Sequence, residues 1–121
     1  MRRDLDLIRL VLLEVEENNE PTRAITVTVD DYSEVQVQYH VKLLTDAGYL
    51  VSQNRSTVAV MNYRPKSLTW KGHDFLESTR SATVWNRVKT KLAEMGTDAP
   101  LSVVQQLAMK YVKDALGLGG E

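Results

Sequence analysis

Four side chains in this 121-residue sequence carry groups that recognise a nucleic-acid duplex: Gln38, Tyr39 and Lys42 in VQYHVKLLTDAGYL, and Arg55 in the NRS turn that follows. A glutamine amide pairs with adenine, a lysine donates to guanine or phosphate, a tyrosine hydroxyl reaches phosphate, and an arginine enters a minor groove or meets the backbone. Double-stranded DNA is the partner that this chemistry predicts. Other chemistry is poorly supplied. His40 falls on the apolar side of its helix, where a hydrogen-bonded core histidine is expected. His73 with Glu77 leaves zinc two ligands short, and the sequence has no cysteine. Ser33, Ser52 and Ser56 have no triad context, and the sequence has no glycine-rich phosphate loop, nucleophile elbow or carboxylate pair. The expectation is no enzyme activity, no cofactor and no metal.

The elements that must position these residues follow from periodicity. Leu5, Ile8, Leu12 and Val15, widened by Leu7 and Val11, predict a first helix over residues 3–18 that ends at NNEP. AITVTV, residues 24–29, alternates β-branched and hydroxyl residues and predicts a short strand. A helix over 32–47 buries Val37, His40, Val41 and Leu44, turns Gln38, Tyr39, Lys42, Thr45 and Asp46 outward, and exits at Gly48 in a left-handed conformation. YLVSQ and TVAVMNY then predict a hairpin with Arg55 near its tip. Beyond Leu68, Thr69 is an N-cap, and Trp70, Phe75 and Leu76 are apolar anchors. Val84, Trp85, Val88, Leu92 and Met95 share a face of the next helix. GTDAP breaks that helix, Ser102 and Gln105 have capping-box spacing at the start of the last one, and GLGGE is a frayed end. Both tryptophans read as core anchors. The apolar arc of the last helix exceeds half its circumference, so a homodimer through helix 1 and the C-terminal helices is expected.

Helix, strand, helix and hairpin is the order of a winged helix-turn-helix, in which the helix before the hairpin lies in the major groove. The fold class expected is therefore α+β: one domain over 1–121, with a winged-helix core at 1–66 and a C-terminal helical extension at 67–116. VQYHVKLLTDAGYL resembles the recognition-helix segment of metal-sensing repressors, and LTWKGHDFL resembles the Leu-Thr-x-x-Gly helix after the wing of many bacterial regulators. With MRRDLDLIRLVLLEVEE and TVWNRVK, these segments make the chain similar to domain-of-unknown-function family 2513 over nearly its whole length. The resemblance implies a winged-helix scaffold in a bacterial, prophage or phage setting, with no established activity to carry over. One departure is plain: only DDYS separates Val29 from Glu34, so the helix that normally crosses the DNA backbone is absent or reduced to a turn.

Charge divides the functional classes. The net charge is −1; residues 1–65 hold 7 Lys/Arg against 10 Asp/Glu, whereas residues 66–121 hold 8 against 6. The segment shaped like a DNA reader is thus the acidic one, with Asp30, Asp31 and Glu34 at the end of the reading helix. Two readings stand: a phage-type DNA-binding regulator, or a winged-helix-shaped module that docks on a host or defence protein. Asp4, Asp6 and Arg9 interrupt the apolar start, which argues against a signal peptide, and no run is long enough to span a membrane. A cytoplasmic protein is expected.

Overall fold

The computed structural model describes residues 1–96 and 99–117, and its backbone clusters into two compact units, Met1–Asp74 and a second that begins at Phe75. The expected break at GTDAP lies partly, and the expected frayed GLGGE mostly, outside the described residues. The elements are α1 (Leu5–Glu16), α2 (Glu34–Asp46), β1 (Leu50–Asn54), β2 (Tyr63–Leu68), α3 (Trp70–Thr79), α4 (Ala82–Met95) and α5 (Leu101–Ala115). This is the expected α+β class: five helices and one antiparallel hairpin among the described residues, in an order compatible with a winged helix.

In the first unit, Asp4 caps α1 by accepting the Leu7 N–H at 3.0 Å, which places a carboxylate at the positive end of the helix dipole. Leu7, Ile8, Val11, Leu12 and Val15 are buried where α1 packs on α2 and β2. Each such side chain stabilises by roughly 1.5–3 kcal/mol before chain entropy is counted. Ser33 and Gln36 form a capping box at the start of α2: Gln36 N–H donates to Ser33 Oγ at 3.1 Å, and Ser33 N–H to Gln36 Oε1 at 2.9 Å. At the other end Tyr49 N–H bonds Leu44 O at 2.8 Å and Gly48 N–H bonds Thr45 O at 3.1 Å, with Gly48 at φ +85°. The left-handed exit expected at Gly48 is there.

Two expected strands are not where the alternation puts them. Residues 24–29 run without turn or bend but form no strand; the Ile25 N–H reaches Pro65 O at 2.9 Å and pairing stops. The hairpin's second strand is β2 rather than TVAVMNY, with the register Leu50↔Leu68, Val51↔Ser67, Ser52↔Pro65, Gln53↔Arg64 and Asn54↔Tyr63. The register shift between Val51 and Ser52 leaves Lys66 as the extra residue of a bulge beside Pro65, where a residue without an N–H is tolerated. Burial explains the displacement: pairing at 50 and 68 puts two leucines, 3% and 7% exposed, into the core, whereas Val58 and Val60 have no core to face. Between Val29 and α2 the chain makes only a turn, with Asp31 at φ 70°, so the expected absence of a backbone-crossing helix holds.

Thr69 caps α3 as expected, its Oγ1 accepting the Gly72 N–H at 3.1 Å. Trp70, however, is 84% exposed and anchors nothing. It lies about half a turn around the helix from the buried pair Phe75 and Leu76, so the three cannot share a face.

In the second unit α4 packs on α5. Ser81 Oγ caps α4 by accepting the Val84 N–H at 3.3 Å, and Gly96 ends it at φ 68°. Val84, Trp85, Val88 and Leu92 are buried on α4, and Val104, Ala108 and Tyr111 on α5. Trp85 is a core residue as expected, whereas Met95 is exposed. The Ser102/Gln105 capping box does not form: α5 starts at Leu101 after Pro100, which leaves Ser102 inside the first turn.

Candidate partner-docking face of α2 and the wing

The α2 capping box and the Gly48 exit set the helix against β1 and β2. Its core side is tied down by His40. The Asp4 N–H donates to His40 Nε2 at 2.8 Å, so the proton is on Nδ1, which donates to Gln36 O at 2.8 Å. Both ring nitrogens are satisfied, and His40 is the hydrogen-bonded core histidine that its position predicts. Tyr32 O–H donates to Asp4 Oδ2 at 3.1 Å, and burial, reinforced by that bond, raises the phenol above its usual value. This network joins the start of α1 to the approach to α2.

Gln38 is not on the outward face. It is 8% exposed: its Oε1 accepts the Tyr63 N–H at 2.7 Å and its Nε2 donates to Tyr63 O at 3.1 Å. The amide therefore acts as a substitute peptide group on the edge of β2, and both its functions are used within the fold. Gln38 sits about 100° around the helix from Val37, on the border of the apolar arc, so the wheel alone cannot choose a side. Tyr39 is half-buried, edge-on to the His40 ring at 5.9 Å. Lys42 bonds Asp46 at 2.6 Å, and that carboxylate raises the ammonium above its ordinary value. Arg55 is exposed and donates to Gln53 Oε1 from Nε at 2.9 Å and from Nη2 at 2.6 Å. The structure therefore leaves Tyr39, Lys42 and Arg55 at least partly accessible and withdraws Gln38.

The wing loop, residues 55–62, is held by its own short bonds. Arg55 N–H bonds Asn62 O at 2.8 Å, Thr57 N–H bonds Val60 O at 2.9 Å, and Asn62 N–H bonds Ser56 Oγ at 2.8 Å. It presents Val58 fully to solvent, with Val60 59% and Met61 41% exposed. Lys42 and Tyr63 line a shallow hollow of about 350 Å³ with these loop residues. Val58, Val60 and Met61 are the residues that sequence reasoning missed as surface, because their alternation reads as a half-buried strand. The available signal was a run from Ser56 to Met61 without a charged residue. Among the described residues no group of three His, Asp or Glu side chains could hold a metal ion, and no helix is long and apolar enough to cross a membrane.

Fold and surface together define a small α+β protein of winged-helix-like order whose wing is apolar rather than basic. The chain belongs to the family described as hypothetical protein (DUF2513), whose model matches residues 2–98. It is also 32% identical over 117 residues to a protein of Haemophilus influenzae named "Uncharacterized protein", across 96% of this chain and 99% of that one. No solved structure gives a significant match.

Proposed function

We propose that this chain is a protein-docking module that uses its wing as the contact surface and catalyses no reaction of its own. The observation that carries the reading is the exposed apolar tip, Val58 with Val60 and Met61, beside a helix whose two glutamines are engaged within the fold, Gln38 on Tyr63 and Gln36 through its Oε1 on the Ser33 N–H. An exposed apolar cluster on an ordered turn gains by burial in a partner, roughly 1.5–3 kcal/mol for each fully covered side chain. A phosphate-binding surface needs on the order of 6–10 cationic contacts, and the acidic residues 30, 31 and 34 work against it. A cytoplasmic host or defence protein met by a phage or prophage product fits such a surface.

The test is capture from a nuclease-treated bacterial lysate by the tagged full chain. A protein retained in stoichiometric amount by the wild type and by the Lys42→Glu/Arg55→Glu variant, but lost with Val58→Asp, supports the wing. Retention on duplex DNA that depends on Lys42 and Arg55 and ignores Val58 overturns it in favour of an operator-binding regulator. Self-association is a separate reading, favoured by exposed Met109 on α5 and Leu116 at its C-cap. Light scattering then gives twice 13.7 kDa, and a monomer at high concentration removes it.

A further inference from the structure

A cleft of about 390 Å³ runs between residues 26–29 on one wall and Val37, Val60 and Met61 on the other. Its peculiarity lies in the backbone. Ile25 N–H donates to Pro65 O at 2.9 Å, and Pro65 has no N–H to return. An antiparallel continuation would set Val27 opposite Tyr63, but Gln38 already holds both Tyr63 groups. The two segments therefore diverge like a fork. Among the described residues, no N–H or C=O of Thr26, Val27 or Thr28 is paired with another backbone group. Val27 is nevertheless 5% exposed, while Thr26 and Thr28 face solvent.

We infer that residues 26–29 form a strand-addition site, which takes an extended peptide of alternating apolar residues with a basic residue at one end. The inference rests on the docking reading above and names the kind of segment the partner supplies. Only an extended backbone offers donors and acceptors in the alternation that this unpaired edge requires, and apolar side chains at every second position fit the valines and methionine of the cleft. The basic residue follows from charge: Glu34 lines the cleft and Asp30 and Asp31 follow Val29 at that end, all three exposed and in no ion pair among the described residues, while Arg64, the cation of the lining, lies along β2 toward Pro65.

Amide hydrogen exchange on the full chain tests this, with the synthetic peptide Lys-Lys-Thr-Val-Thr-Val-Thr-Val and its reversed sequence as probes. The Val27 amide, on the edge that faces Tyr63, should exchange readily in the free protein and slow by about tenfold or more with one of the two peptides, whereas the Thr26 and Thr28 amides, which point to the opposite edge, should change little. A peptide N-methylated at every amide, or one with Glu-Glu in place of Lys-Lys, should fail to protect the Val27 amide, and Asp30→Lys/Asp31→Lys should reverse the preference between flanks. Equal protection by the N-methylated peptide, or no protection with either probe, overturns strand addition. Perturbations confined to residues 57–61 overturn it too, yet leave the docking reading intact. That reading fails separately, through unchanged partner capture by Val58→Asp, since Val58 does not line the cleft.

Discussion

The two ends of the hairpin are built to opposite standards. At the base, Thr69 N–H bonds Tyr49 O at 3.1 Å, Thr69 Oγ1 donates to Gly48 O at 2.5 Å, and Lys71 Nζ donates to Ala47 O at 3.1 Å. The same ammonium lies 4.6 Å from the Tyr49 ring centroid, and Gly72 packs so close to the Tyr49 carbonyl that any Cβ there would collide with it. At the tip, the loop bonds only to itself and to the adjoining strand ends, and its valines face water. The difference teaches that the fold is locked where the hairpin leaves α2 and enters α3, and spends little of its stability on the wing. A surface kept out of the core in this way is free to serve a partner.

Four measurements break or sharpen that contrast. Gly72→Ala should cost the most, about 2–3 kcal/mol in denaturant unfolding, because the new methyl meets a backbone carbonyl that is itself hydrogen-bonded and cannot yield. Gln38→Leu should cost about 1–2 kcal/mol by removing both partners of Tyr63, and should raise exchange protection at the Val27 amide as the fork closes. Unchanged protection there would mean that Gln38 is not what holds the strands apart. Gly48→Ala should cost about 1 kcal/mol, the penalty of a Cβ at φ +85° with open space around it. Val58→Asp should change stability by less than about 0.5 kcal/mol. A larger loss at Val58 than at Gly48 would sink the contrast between base and tip.

The phenols supply a pH dependence with a definite sign. Burial raises Tyr49, and burial with the Asp4 hydrogen bond raises Tyr32, both from 10.0. A folded-state value above the unfolded one means that the stabilisation is complete below pH 10.0 and is lost as pH rises through the folded values. The unfolding midpoint should thus fall on going from about pH 9 to about pH 11, and Tyr32→Phe should flatten part of that fall.

Local pattern was enough to determine much of this protein. The spacing of Leu7, Ile8, Val11, Leu12 and Val15 sets the core face of α1, although Leu10 and Leu13 extend its apolar surface beyond that arc; Gly48 is the residue that takes a left-handed exit at least cost, and Thr69 is a cap by its own chemistry. His40 was legible for the same reason, since a polar ring on an apolar arc must find its bonds inside. Tertiary structure alone decided the rest. AITVTV and TVAVMNY have strand composition, but a strand exists only where a neighbour's edge is open. Gln38 closes the edge of β2 to the first, and the Leu50↔Leu68 register leaves the second in the loop. Gln38 itself stood on the border of its helix face, where a difference of one hydrogen-bonding partner, and not periodicity, sets the side it takes.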